Sequence, residues 1–283
     1  MIIEVEKYSV NVLDKGFVRL VDCMPRVIPS GYEKLRCDYA IAEAARVSYG
    51  GGSKGEDMDA KLIRYLLRNK HTSPFEMVKF KFHLKLPIFV QRQLIRHRTA
   101  NVNEVSGRYT QLKEEFYVPL EPRKQSSSNK QGSEEWENGV PDRLMDTYAE
   151  YMNKNIEVYS LYNSLVEDGM AKEVARICLP QNIYTELYWC MDLHNLLHFV
   201  ELRASPHAQA EIREYAFAIH DILMDLCPVT MRAFECFVED AVTFSTTELK
   251  LVKRYLSGDT KLDTHFHNKR EYQEFVDKMK QVK

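Results

Sequence analysis

The sharpest pattern in the chain is a strict alternation. Val78, Phe80, Phe82, Leu84 and Leu86 are apolar, and Lys79, Lys81, His83 and Lys85 between them are polar. A period of two sends the two sets to opposite faces, so Val78–Leu86 predicts a strand with one buried face and one wet or functional face. Pro87 stops that strand and suits the first position of a helix, where its fixed φ and missing N–H do no harm. The helix carries Arg92, Gln93, Arg96 and His97 before the chain opens into a loop around Asn101–Gly107. A second strand, rich in Tyr and Trp, is predicted over Ile183–Met191.

Elsewhere the apolar period is that of helices. Tyr32–Val47 turns Leu35, Ala40, Ile41 and Ala44 inward, and Asp57–Asn69 does the same with Leu62, Leu66 and Leu67. A long helix is predicted over Asp142–Asp168 with a stripe of Leu144, Tyr148, Met152, Ile156, Tyr159 and Val166, ended by Gly169. Lys172–Cys178 reads as a short helix. Two more follow the second strand, the later one striped by Ile212, Tyr215, Ile219, Ile222 and Leu226. Residues 123–138 are polar and read as an exposed loop, while the tail keeps helical stripes at Tyr272, Phe275, Val276 and Met279. No repeat or linker forces a split. The order of elements predicts one α+β domain over residues 1–240, a mostly antiparallel sheet flanked by helices, with a charged helical extension over 241–283.

Hydrophobic residues at 45% and charged residues at 28% provide a core, which excludes disordered, collagen-like and disulfide-miniprotein classes. Lys and Arg total 39 against 41 Asp and Glu, a formal charge of −2. That balance argues against a general nucleic-acid binder and leaves room for a local basic pocket. The six cysteines have no CxxC spacing and read as mostly buried thiols of a reducing compartment, Cys178 and Cys227 among them. Glu4 and Glu6 sit where a signal segment would be apolar, and no apolar run approaches the ~18 residues of a membrane span. The reading is a cytosolic protein without a membrane partner.

Arg92, Arg96, Arg98 and Arg108 fall within seventeen positions, interleaved with Gln93, His97, Asn101, Asn103, Glu104 and Ser106. Arg92 and Arg96, four apart, would share a helical face and repel unless an anion or carboxylate neutralises them. Guanidinium matches phosphate bidentately, and Ser106-Gly107 lets backbone approach the same ligand closely. A solvated basic face paired with Glu104 and nearby acids is the other reading, and residue types alone leave both open.

The string RHRTANVNEVSGRY, residues 96–109, resembles the signature of the flavin-dependent thymidylate synthases. That pattern is Arg-His-Arg, any two, Ser, any, Asn-Glu, any, Ser, any, Arg-Tyr. It matches at Arg96, His97, Arg98, Asn103, Glu104, Ser106, Arg108 and Tyr109, and departs at Asn101, where the family usually has Ser. The stretch His71–Glu76, the Val78–Leu86 strand, Ile88–Gln93, Glu173–Pro180, Leu202-Arg203-Ala204 and His207-Ala208-Gln209 resemble further blocks of the family, over roughly residues 13–237.

The resemblance implies an enzyme that makes dTMP from dUMP, with 5,10-methylenetetrahydrofolate as carbon donor and NADPH reducing a bound FAD that supplies hydride. It implies a nucleotide site of Gln93, Arg96, Glu104, Ser106, Gly107, Arg108, Arg176 and Arg203, with Arg108 and Ser106-Gly107 on the phosphate. Arg203 would be the activating residue, its charge favouring the uracil anion formed on loss of the N3 proton. FAD would be held by His71, Ser73, Arg96, His97, Arg98, Glu104, Asp192, His194 and His198; the last three depart from the Asn, Arg and Asn of some relatives. A homotetramer with intersubunit active sites is implied as well, with no metal and no cysteine nucleophile.

Two rival readings come from the residues. His194 and His198, four apart on a helix, have the spacing of a zinc hydrolase, but Asn195 stands where that chemistry needs a Glu base. The Arg92–Arg108 cluster with the chain's 16 tyrosines could instead bind nucleic acid, without the basic excess that such binding needs. Gly50–Gly55 lacks the Gly-Lys-Ser/Thr order of a phosphate loop and reads as a turn.

Overall fold

The computed structural model describes residues 1–127, 132–258 and 266–282 of the 283. Residues 128–131 of the expected 123–138 loop and residues 259–265 of the tail lie outside the described residues. The sheet is antiparallel throughout, built from β1 (Ser9–Val12), β2 (Gly16–Met24), β3 (Lys79–Pro87), β4 (Asn101–Glu104) and β7 (Tyr184–Asp192) in the order β1-β2-β3-β7-β4. A separate two-residue ladder joins β5 (Lys124–Gln125) to β6 (Ser133–Glu134) inside the segment read as loop.

β3 obeys its alternation: Phe80, Phe82, Leu84 and Leu86 are buried and Lys79 and Lys81 exposed. Lys85 is the exception on the polar face, buried with its Nζ 2.8 Å from Glu115 Oε1. A bulge between Leu20 and Asp22 switches the inward parity of β2, so Val18 and Leu20 are buried before it and Cys23 after it. Helices α6 (Leu193–Arg203) and α7 (Ala210–Leu226) cover the apolar side, and the predicted α7 stripe from Ile212 to Leu226 is buried in full. Tyr215 of that stripe donates its hydroxyl to Lys85 O at 2.7 Å.

The remaining helices are α1 (Asp38–Arg46), α2 (Glu56–Arg68), α3 (Ile88–Leu94), α4 (Asp142–Glu167), α5 (Lys172–Ala175) and α8 (Pro228–Phe234). Four expectations need correction. The helix expected from Tyr32 starts only at Asp38, because Arg36 sits at φ 52°, outside any right-handed helix. The helix after Pro87 ends at Leu94, so Arg96 and His97 lie in the turn beyond it and Arg96 does not share a helical face with Arg92. The expected Asn101–Gly107 loop contains edge strand β4, whose polar sequence hides no alternation. On α4 the buried positions are Asn155, Tyr159 and Tyr162, while Leu144 and Ile156 of the expected stripe are exposed, so that stripe is only partly inward.

Helix α8 was not read from the sequence. Buried Asp38 accepts from Val229 N at 2.6 Å and Thr230 Oγ1 at 2.5 Å and so caps its first turn from across the chain. The thiols also differ from expectation: Cys23, Cys37 and Cys227 are buried, but Cys178 and Cys236 are exposed. Met1–Phe234 form one compact unit and Glu235–Lys283 a second. It holds α9 (Thr246–Leu256) and α10 (Lys269–Val282) around a core of Leu251, Phe275 and Met279, with a Ser245–Glu248 capping box. Among the described residues, no helix is long and apolar enough to cross a membrane.

Candidate active site

The signature segment runs along one edge of the sheet. After α3 a tight turn, with His97 N donating to Leu94 O at 3.1 Å, delivers Arg96, His97 and Arg98 to the start of β4. β4 then pairs with β7, Asn101 opposite Cys190 and Glu104 opposite Leu187. A second turn follows, in which Tyr109 N and Thr110 N both reach Ser106 O at 3.0 Å. At ~3.3 Å per residue the two turns are separated by roughly 17 Å, so the arginines line an extended edge rather than a point.

At the first turn Arg203, the last residue of α6, donates from Nε to His97 Nε2 at 3.1 Å. Burial first, then the charges of Arg203 and His198, push the His97 pKa down to about 4. His97 is therefore neutral at pH 7, with its proton on Nδ1 and Nε2 free to accept. Its ring stands edge-on to Phe199 at 5.0 Å and, again edge-on, to His198 at 6.2 Å. Because the folded pKa is depressed below the ordinary 6.5, His97 adds its full share of stability above pH 6.5 and loses it as pH falls toward 4. Ring nitrogen NMR at pH 6 is expected to report the neutral Nδ1–H tautomer for His97; a protonated ring at that pH would contradict the geometry.

At the second turn Arg108 N donates to Ser106 Oγ at 3.3 Å, which leaves the hydroxyl proton of Ser106 to donate outward. Gly107 sits under Arg176: a Cβ there would lie 3.0 Å from Arg176 Cδ and 3.4 Å from Nη1. Arg176, from the single turn Arg176–Cys178 that follows α5, is thereby brought onto the signature. Arg108 Nε lies 3.2 Å from Glu173, both more than half exposed, a pair too solvated to compete strongly with a phosphate. Between the turns, Glu104 is pinned by Gln91 Nε2 at 2.9 Å and by buried Thr185 Oγ1 at 2.9 Å. Gln93 Nε2 donates to Gln209 Oε1 at 2.5 Å.

The flavin residues implied by resemblance are only partly gathered. Leu193 N bonds Val78 O at 2.8 Å, so the turn after His71 and Ser73 and the start of α6 meet at the same end of the sheet. There Asp192 caps α6, accepting from Asn195 N and Nδ2 at 2.9 Å. His194 is half-buried, and exposed His198 lies 3.5 Å from Glu201. His71 stands edge-on to Tyr65 at 5.8 Å, and among the described residues neither it nor Ser73 bonds to the signature segment. No third ligand atom among the described residues converges on His194 and His198. Glu173, Gln91 and Thr185 had no assigned role in the sequence reading; a Thr inside a strand and a lone Gln carry no signal until the fold brings them to Glu104.

Electrostatics gives the site its character. Among the described residues no carboxylate pairs with Arg92, Arg96, Arg98, Arg176 or Arg203. So many guanidiniums without acidic partners along one edge create a demand for anionic ligands.

Comparison with known proteins agrees in sequence and in fold. The family described as "Thymidylate synthase complementing protein" matches residues 33–229. The flavin-dependent thymidylate synthase of Dictyostelium discoideum is 46% identical over 276 residues, 97% of this chain and 87% of that protein. The chain belongs to the flavin-dependent thymidylate synthases. Another member, from Thermus thermophilus, is 51% identical over 253 residues, covering 89% of this chain and 87% of its own. A UMP/dUMP methylase, PolB from Streptomyces cacaoi, bound with 5-Br dUMP, superposes with a TM-score of 0.68 at 30% identity, covering 81% of this chain and 98% of its own. Within the family's signature, the departure at Asn101 falls on the exposed first residue of β4, opposite Cys190, where another small polar side chain fits without repacking.

Proposed function

We propose that this enzyme makes dTMP from dUMP by reductive methylation, taking the carbon from 5,10-methylenetetrahydrofolate and the reducing equivalents from NADPH through FAD. The observation that carries the reading is Arg203: a half-buried guanidinium held by a neutral imidazole, with no carboxylate among the described residues to neutralise it. Its charge is available to a ligand, and a uracil anion is a ligand that needs it.

The chain's own residues then have distinct tasks. Arg108, Arg176 and the Ser106 hydroxyl bind the dUMP phosphate, with Gly107 keeping the backbone close. Arg203 favours the ring anion at N3, and that charge makes the carbon to be methylated more nucleophilic. At ~4 Å and an effective dielectric near 20, such a charge pair is worth about 4 kcal/mol, or about three pKa units on the ring. No thiol is given a role in this scheme: Cys23, Cys37 and Cys227 are buried with pKa values pushed above the ordinary thiol range, Cys178 and Cys236 are exposed, and Cys190, half-buried opposite Asn101, is not one of the signature's residues. FAD fits the unpaired Arg96 and Arg98, whose forks match its pyrophosphate, and the ring-bearing His97 and His198 nearby. Once bound and reduced, the flavin supplies the hydride.

The edge strand also supports a homotetramer with sites shared between subunits. Val102 and Val105 are exposed on either side of Glu104, Tyr109 is 77% exposed, and α4 leaves a run of apolar side chains uncovered. A monomer in sedimentation that still holds a full complement of FAD would contradict this.

Two measurements test the function. NADPH oxidation by the purified, flavin-loaded protein is expected to yield dTMP only when dUMP and methylenetetrahydrofolate are present; oxidation without dTMP under those conditions would overturn it. Arg108→Ala is expected to weaken dUMP binding by roughly tenfold or more while deoxyuridine binding barely moves, since charge-assisted bonds are worth about 1.5–3 kcal/mol. An equal loss for both ligands would remove Arg108 from the phosphate.

A further inference from the structure

Gln93 ends a chain of hydrogen bonds that starts at a buried charge. Glu211, 3% exposed in the first turn of α7, accepts from Arg123 Nη2 and from the Tyr117 hydroxyl (3.2 Å) at Oε1, and from Gln209 Nε2 at 2.8 Å at Oε2. Burial alone would push its pKa up, but Arg123 and the surrounding donors hold it below the ordinary carboxylate value. An ionised carboxylate only accepts. Gln209 must therefore turn its amide nitrogen toward Glu211, which leaves only its oxygen facing α3. Gln93 can meet that oxygen only with its own nitrogen, as the 2.5 Å Nε2–Oε1 contact shows. The polarity of one charge is passed along two amides, and Gln93 Oε1 emerges with no donor among the described residues.

We propose that Glu211, acting through Gln209, is a positioning residue that fixes the Gln93 carbonyl as an acceptor for the sugar 3′-hydroxyl of the nucleotide. The proposal rests on the reading of Gln93 as part of a dUMP site. Outside its phosphate, dUMP offers two donors, the imide N3–H and the 3′-hydroxyl. An acceptor at N3 would hold the proton that Arg203 acts to release, so the hydroxyl is the donor the carbonyl meets. Free rotation of the Gln93 amide would present nitrogen as readily as oxygen; a hydroxyl also accepts, so the contact would survive but be weaker, its orientation no longer fixed in advance.

The test compares dUMP with 2′,3′-dideoxyuridine monophosphate on the full-length, flavin-loaded enzyme. Wild type is expected to prefer dUMP by roughly five- to tenfold, the worth of one neutral hydrogen bond. Gln209→Leu keeps the Arg123–Glu211 pair and cuts the relay, so the preference falls clearly below that of wild type without vanishing. The transposed variant Gln209→Glu/Glu211→Gln puts the carboxylate one step nearer; it still accepts from Gln93, and the preference returns. Thermal midpoint and flavin content are recorded for each, because a purely structural role would move those and leave the preference intact. A preference unchanged in Gln209→Leu, or absent in the folded transposed variant, overturns the proposal. So does wild type that binds dUMP without regard to the 3′-hydroxyl, whatever the variants do. Flavin-loaded wild type that binds no dUMP at all would instead sink the proposed function.

Discussion

Arg203→Ala is expected to lower kcat/KM for dUMP about a thousandfold while flavin stays bound. The magnitude follows from the charge the variant removes: about 4 kcal/mol of stabilisation of the ring anion corresponds to about three powers of ten in rate. Flavin retention follows from geometry, since Arg203 reaches the signature through His97, whereas Arg96 and Arg98 remain in place and unpaired. Arg203→Lys separates charge from shape. A lysine can bond His97 or face the base, but one ammonium lacks the fork that does both, so it should recover only part of the loss. Steady-state kinetics with the absorbance of bound flavin checks all three proteins. Loss of flavin in step with loss of turnover would show that Arg203 builds the cofactor site rather than activating the base.

The second large effect is on stability and lies away from the chemistry. Gly16 opens β2 where β1, β3 and α7 meet, and an added Cβ would collide with the Tyr215 hydroxyl and lie 2.7 Å from both Lys85 O and Val12 O. Two of the three neighbours are backbone and cannot swing away. The third is the hydroxyl that satisfies Lys85 O inside the core. Gly16→Ala must therefore strain the sheet or break that bond, costing about 1–3 kcal/mol for the overpacking and about 1–3 more for a buried carbonyl left unpaired. A fall in thermal midpoint of many degrees is expected by calorimetry. Gly16→Ala/Tyr215→Phe should recover part of it, because removing the hydroxyl removes one of the three clashes. If Gly16→Ala melts with wild type, the close packing of α7 on the hairpin is wrong.

How much of this was legible in the chain depended on whether a local rule governed the residue. The alternation of Val78–Leu86 and the stripe Ile212–Leu226 each record a single buried face, and both elements formed as read. Edge strand β4 left no trace, since Asn101, Val102, Asn103 and Glu104 are all exposed and burial imposes no period on them. The α4 stripe misled in part: Tyr159 is buried and Val166 packs on the core, but Leu144 and Ile156 face outward from this chain, so their hydrophobicity reports something other than this chain's own core. Helix α8 depends on Asp38, nearly two hundred positions earlier, a capping bond no window of sequence contains.

The candidate site divides along the same line. Residues of the signature could be named by resemblance, because the family's pattern itself joins Arg96 to Tyr109. Their partners could not. Thr185 looks like any β-branched strand residue, and Gln209, though inside a stretch that resembles a block of the family, shows no sign of its partner; the fold sets one on Glu104 and the other on Gln93. Arg203 was named by resemblance; its bond to a neutral His97, which leaves its charge unspent, is a matter of three-dimensional placement.

The central claim is that one arginine-lined edge holds a pyrimidine nucleotide and a flavin against each other. Titrating dUMP into the oxidised, flavin-loaded enzyme while following the flavin absorbance bands tests it most directly. The account predicts a saturable spectral change, weakened in Arg108→Ala, as the nucleotide alters the flavin's surroundings. A protein that binds dUMP by calorimetry yet leaves the flavin spectrum untouched would place the two ligands apart and contradict it.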